Sequence, residues 1–107
     1  MASMKAPTVL PEPWASMTTE QAAQLKEPEA RRMLGAVNVP ALITFRNQVP
    51  SMRTSEILAF IVSPDQITKK LLTDDDLDRY NTQDEYLIIG AALLALGDEI
   101  DRRIPRP

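Results

Sequence analysis

The sequence offers one candidate metal site, a series of side chains with oxygen atoms between positions 74 and 85. They recur along a stretch of 12 residues, mostly at every second position. The members are Asp74, Asp76, Asp78, Tyr80, Thr82 and Glu85. A calcium ion is a hard cation that takes about six to eight oxygen ligands, many of them carboxylates. The spacing therefore offers a candidate ligand set for calcium.

This stretch resembles the calcium-binding loop of EF-hand proteins in the placement of its ligands. That loop needs glycine at its sixth position for a sharp turn, and this position holds Arg79. Its eighth position is normally apolar and here is Asn81. Acidic residues also gather in the first turn of ordinary helices, where the dipole and the free N–H groups favour them. We therefore predict a helix start and no metal, with calcium binding as the alternative.

The composition argues against an enzyme. The 107 residues include no histidine and no cysteine, which removes the commonest general base, the commonest zinc ligand and any thiol nucleophile. Three glycines are too few to build a phosphate-binding loop. The adjacent acids Asp84 and Glu85, like Asp98 and Glu99, point to different faces of a helix and do not form an acid–base pair. We expect no catalytic residue, no cofactor and no small-molecule substrate.

The middle of the chain contains a second candidate site, which is basic. Residues 26–53 carry a net charge of +3, although the whole chain carries −3. The run from Glu29 to Gly35 and the residues after it resemble the helix-turn-helix of excisionase-like DNA binders, in which a similar Ala-x-x-Leu-Leu-Gly run leads into a recognition helix. The resemblance implies that Asn38, Thr44 and Arg46 face DNA.

Two ordinary amphipathic helices with solvated arginines would explain residues 28–47 equally simply, and we favour that interpretation over DNA binding. The candidate DNA contacts are Arg31, Arg32, Asn38, Thr44 and Arg46.

Residues 1–17 predict an extended, partly polyproline-like arm, because three prolines interrupt them and no helical period runs through them. Val9, Leu10 and Trp14 are its apolar anchors. A tryptophan on a free tail would expose a large apolar surface, so we expect Trp14 to dock. Its docking site is either the core of this chain, which we favour, or a protein partner for which these three residues are the anchors.

Residues 84–103 predict the longest helix, around which the others are organised. Its apolar residues recur at spacings of three and four, the period of one helix face. The predicted core face comprises Tyr86, Ile89, Leu93, Leu96 and Ile100. Thr82 is the predicted N-cap, with Glu85 closing a capping box.

Nothing in the sequence indicates a membrane segment. The apolar run of 11 residues from Tyr86 to Leu96 is too short for a bilayer, which takes about 20. The N-terminus lacks a charged start followed by an apolar core, so it does not read as a signal peptide. We expect a soluble, cytoplasmic protein.

Capping residues and prolines predict several shorter helices before the last one. Gly35 is expected to stop one of them, residues 39–45 are expected to be helical with an edge strand as the alternative, and residues 55–62 contain apolar positions 57, 58, 61 and 62. The predicted helix starts are Thr18, Pro28, Asn38 with Pro40, Thr54, Ser63 and Thr73.

The expected architecture is an all-α single domain of five or six mostly short helices around one long C-terminal helix. It comprises residues 18–104, with the arm before it and a short tail at 105–107.

These features favour a non-enzymatic protein that binds other proteins or copies of itself, as a small subunit of a larger assembly such as a phage virion or connector. A variant is an acidic inhibitor that covers a basic surface of a host protein. The acidic residues proposed for that contact are Asp74, Asp75, Asp76 and Asp78. The alternative class is a small DNA-binding regulator that uses residues 28–47 and dimerises through the final helix.

Overall fold

The computed structural model describes residues 9–104, and this part of the chain is all-α, as predicted, with no strand. It contains seven α-helices and two 3₁₀ turns, at Trp14–Ser16 and Val49–Ser51. The α-helices are α1 (Thr19–Ala23), α2 (Glu27–Gly35), α3 (Pro40–Gln48), α4 (Thr54–Val62), α5 (Asp65–Leu71), α6 (Asp74–Arg79) and α7 (Thr82–Arg103). The first eight residues of the predicted arm, and the predicted tail at 105–107, lie outside the described residues.

The long helix α7 is the element that the others pack on. It has 22 residues, which at 1.5 Å per residue is about 33 Å. Helices α2, α3, α4 and α5 and the turn at Val49–Ser51 all contact it. Its most buried apolar residues are Ile88, Ala91, Ala92 and Leu96. Because alanine side chains end at Cβ, the middle of α7 lets neighbouring helices approach closely.

The core face of α7 differs from the predicted one. Leu96 is fully buried, but Tyr86 is 71% exposed, and Ile89, Leu93 and Ile100 are only half-buried. The most deeply buried residues are instead Ile88, Ala91, Ala92 and Leu96, of which only Leu96 belongs to the predicted face. The buried stripe is therefore rotated around the helix axis from the predicted one.

Two of the predicted helix caps are confirmed. At α1, the backbone N–H of Gln21 donates to Thr18 Oγ1 (3.1 Å), and the N–H of Thr18 donates to Gln21 Oε1 (2.9 Å). At α6, Thr73 and Asp76 exchange the same pair of bonds, at 3.1 and 3.0 Å. These capping boxes satisfy N–H groups that the first turn of a helix leaves without partners.

Three predicted caps are wrong. Asn81, not Thr82, caps α7, since its side-chain oxygen accepts the N–H of Asp84 at 2.8 Å. Thr54 is the first residue of α4, and its hydroxyl accepts a bond from Arg103 instead of capping. No side-chain hydrogen bond caps α5, although Ser63 is one of the predicted helix starts.

The segment from α2 to α3 tests two further predictions. Gly35 is the last residue of α2, where the stop was predicted, but it is helical and Ala36 is the C-cap, in a right-handed conformation. The edge strand considered for residues 39–45 is absent, since these residues belong mostly to α3, for which Val39 is the N-cap. Pro40 fits the start of α3 because its missing N–H would have no helical partner there.

The described part of the arm packs on the core of this chain. Val9 and Leu10 are buried, and Trp14 is half-buried against the same core. The N–H of Asn38 donates to the carbonyl oxygen of Val9 at 2.8 Å, which fixes the arm beside the loop between α2 and α3. The arm is also less extended than expected, since Trp14–Ser16 forms a 3₁₀ turn.

The rotated core face of α7 gives a test by paired substitutions. Leu96→Ala should lower the free energy of unfolding by about 2–5 kcal/mol, because it leaves a cavity at a fully buried site. Tyr86→Ala should change it by less than about 0.5 kcal/mol, because that side chain is exposed. Urea denaturation followed by circular dichroism measures both. Equal losses in the two variants would contradict the observed rotation.

Candidate protein-binding surface

Helix α4 packs one of its faces into the core. Ile57 is fully buried, and Phe60 is half-buried. The ring of Phe60 meets that of Phe45 from α3 edge to face, with 5.5 Å between centroids and 84° between planes. Such aromatic pairs contribute about 0.5–1.5 kcal/mol beyond the area they bury. The inner face of α4 therefore has a fixed position against α3 and α7.

The opposite face of α4 is apolar and exposed. Val62 is 80% exposed and Leu58 is 46% exposed, and the small residues Ser55 and Ala59 are exposed beside them. Positions 55, 58, 59 and 62 follow the spacing of one helix face at 3.6 residues per turn. Ile61 borders this face and is 37% exposed. We call the face formed by Ser55, Leu58, Ala59 and Val62 the outer face of α4.

The predicted apolar positions of α4, which are 57, 58, 61 and 62, do not by themselves identify this face. The signal was the unbroken apolar run from Ile57 to Val62. A helix that packs only one side on a core buries a single apolar stripe. Six consecutive apolar residues extend around the whole circumference of the helix, so they cannot all lie in that stripe. Some of these residues must therefore face solvent or another molecule.

Arg103, at the end of α7, holds the start of α4 in place. Its guanidinium donates to Thr54 Oγ1 at 3.0 Å, to the carbonyl oxygen of Pro50 at 3.2 Å and to that of Val49 at 3.4 Å. It also donates to Glu99 Oε2 at 2.9 Å, within a carboxylate that is itself buried. These bonds link α7, the Val49–Ser51 turn and α4, so the outer face is presented by a fixed helix.

The acidic residues predicted to bind a partner lie on α6. Asp74, Asp75 and Asp78 are exposed, whereas Asp76 closes the capping box with Thr73 and is half-buried. The 12 residues from Asp74 to Glu85 form α6, a two-residue break and the start of α7, whereas an EF-hand holds calcium in a single loop of 12 residues. Within residues 9–104, no three acidic side chains lie close enough together to hold a metal ion.

Two of the candidate DNA contacts are engaged within the chain. Arg46 donates to the carbonyl oxygens of Leu34 (2.9 Å) and Val37 (3.1 Å) at the end of α2, and its partial burial lowers its pKa. Arg31 forms an ion pair with Asp98 at 2.7 Å, and this hydrogen bond raises its pKa. Arg46 therefore serves as a hydrogen-bond donor to the last turn of α2.

The other candidate DNA contacts, Arg32, Asn38 and Thr44, are exposed. Helices α2 and α3 pack principally on α7. In a helix-turn-helix the two helices pack on each other so that the second is presented to the groove. On the predicted DNA surface, the side chains of Arg32, Asn38 and Thr44 are thus exposed. That of Arg46, in contrast, donates its hydrogen bonds within the chain.

The arm anchors predicted for a partner, Val9, Leu10 and Trp14, contact the core of this chain. In the part of the arm that the structure describes, Val9 and Leu10 are thus less exposed than Leu58 and Val62 on the outer face of α4.

Comparisons with protein-family models, with curated proteins and with solved structures gave no match. No helix within residues 9–104 has both the length and the apolar character needed to cross a membrane.

Arg46 gives a test of its structural role. Arg46→Ala should lower the free energy of unfolding by roughly 1.5–3 kcal/mol, because it removes charged donors from two carbonyl groups. The matched control Arg32→Ala removes an exposed arginine from the same segment and should change it by less than about 0.5 kcal/mol. Thermal and urea unfolding measure both variants. A fully stable Arg46→Ala protein would show that the side chain is free for another role.

Proposed function

We propose that this protein is a non-enzymatic binding protein that acts through the outer face of α4. The observation that carries the proposal is the combination of 80% exposure at Val62 and 46% at Leu58, both on one side of a helix that is fixed by its other side. An isolated exposed apolar residue needs no explanation, but a contiguous apolar face is typical of an interaction site.

Covering this face would remove apolar surface from water without distorting the fold. Each Å² of apolar area buried contributes about 25 cal/mol. The helix is already held by Ile57, by Phe60 and by the bonds from Arg103, so binding requires little ordering of the backbone. Preorganisation of this kind reduces the entropic cost of association.

An assembly subunit is the role that we favour, in the cytoplasm or within a virion. A fixed apolar helix face suits a lasting contact, since obligate interfaces are the more hydrophobic ones. The acidic inhibitor is the variant in which Asp74, Asp75 and Asp78 on α6 steer a basic partner. A small DNA-binding regulator using residues 28–47 is the alternative class, which is less well supported because Arg46 donates its bonds internally.

Site-specific cross-linking tests the proposal directly, because the natural chain has no cysteine. Val62→Cys, labelled with a thiol-reactive benzophenone, should form a light-dependent covalent complex with a discrete protein when added to extract of the cells that produce it. Excess unlabelled protein should suppress the complex. The control is Ala23→Cys, labelled in the same way at an exposed position on α1.

Two results would count against a protein-binding role for α4. One is a set of cross-linked products that is the same for Val62→Cys and Ala23→Cys. The other is retention on DNA at about 50 mM salt that is lost in the Arg31→Ala/Arg32→Ala variant, since phosphate contacts dominate such binding at low salt. The second result would establish the DNA-binding alternative.

A further inference from the structure

We infer that the cleft between the N-terminal arm and the corner of α2 and α3 binds a small organic carboxylate, whose negative charge lies beside Arg46. The apolar body of this ligand contacts the walls of the cleft. The site is separate from the outer face of α4 and does not depend on it. We expect a ligand rather than a substrate, because none of the described residues that line the cleft is a nucleophile or a general base.

The cleft has the size and the walls of a small-molecule site. Its volume is about 550 Å³, and such sites typically measure about 300–1,000 Å³. Leu10 and Pro11 of the arm line one side, and Val37 and Ile43 line the other. Leu10 and Val37 are buried, whereas Ile43 is 43% exposed. An apolar ligand body would therefore remove further apolar surface from water.

Arg46 lines the cleft and carries a charge that no acidic side chain balances. Within residues 9–104, Arg46 and Arg103 are the two arginines that are not exposed. Arg103 pairs with the buried Glu99 at 2.9 Å, but Arg46 forms no ion pair with any described residue. Burial lowers the pKa of Arg46, so its surroundings disfavour the charged form. Charges removed from water are normally paired, and a carboxylate is the group that would stabilise this one.

The guanidinium of Arg46 has hydrogen-bond donors left for such a carboxylate. Arginine has five N–H donors in a planar fork. One on each terminal nitrogen donates to a carbonyl oxygen, of Leu34 or of Val37, which leaves the other three. The two bonds fix the position of the group, so binding costs little ordering of this side chain. Charge-assisted bonds to a carboxylate are roughly twice as strong as bonds between neutral groups.

The acidic residues near Arg46 determine on which side an anion binds. A second cleft, of about 300 Å³, shares Gly35 and Arg46 with the first and extends along α7. Asp98 and Glu99 are among the residues that line this second cleft, and their carboxylates would repel an anion. The described residues that line the cleft beside the arm include no acid. The negative charge of the ligand is therefore expected on the arm side.

Titration of the full chain with octanoate and with octanol at neutral pH tests the charge selectivity. The two probes share an apolar chain, and only octanoate carries a negative charge. In amide correlation spectra by NMR, octanoate should shift the resonances of Gly35, Asn38 and Ile43. It should also bind about tenfold more tightly than octanol, because hydrogen bonds to charged groups are the stronger ones.

Two substitutions should remove the preference for octanoate. Arg46→Gln keeps an amide donor but loses the charge, so it should bind the two probes about equally. Because this change also affects bonds within the fold, Ile43→Glu is the second variant. It places a negative charge on an exposed part of the cleft wall and should likewise lose the preference. The matched control is Thr44→Glu, which adds the same charge at an exposed neighbouring position outside the lining of this cleft and should keep the preference.

Three results would overturn the inference. The first is equal affinity of the unsubstituted protein for octanoate and octanol. The second is a preference for octanoate that is the same in Ile43→Glu as in Thr44→Glu. The third is acetate binding as tight as octanoate binding, since the apolar walls would then contribute nothing.

Discussion

The burial of one stripe of α7, made of Ile88, Ala91, Ala92 and Leu96, is the constraint on which the rest of the structure depends. Helices α2, α3, α4 and α5 all pack on this one helix. Short helices have little stability of their own in water, and most of their stability comes from tertiary packing. The buried stripe of α7 provides that packing, because several short helices share this one central helix.

The packing of α4 on α7 also explains why some apolar residues of α4 are exposed. Its inner face is occupied by contact with Phe45 and α7, and Arg103 fixes its start, so the helix cannot turn its other side inwards. The outer face with Val62 is therefore exposed because of where α4 is held, and not because α4 is loosely attached. A fixed apolar face of this kind favours binding of a protein partner over an incidental exposure.

The sequence alone predicts the fold class and several details well. Local signals determine the capping boxes at Thr18 and Thr73, since a cap depends on residues three apart. The sequence predicts local structure less well where residues far apart in the chain contact each other. Arg103 uses the hydroxyl of Thr54, and packing turns Tyr86 outwards. The outer face of α4 could have been suspected from the run Ile57–Val62, but which of its residues face outwards depends on the positions of α3 and α7, which no local pattern contains.

The most direct measurement of the central claim, that the outer face of α4 meets another protein, compares amide correlation spectra by NMR of the labelled protein alone and in extract of the cells that produce it. The account predicts that resonances along α4 shift or broaden in the extract, whereas those of α1 stay fixed. Spectra that do not change, or changes confined to α6 or to the arm at Trp14, would contradict it.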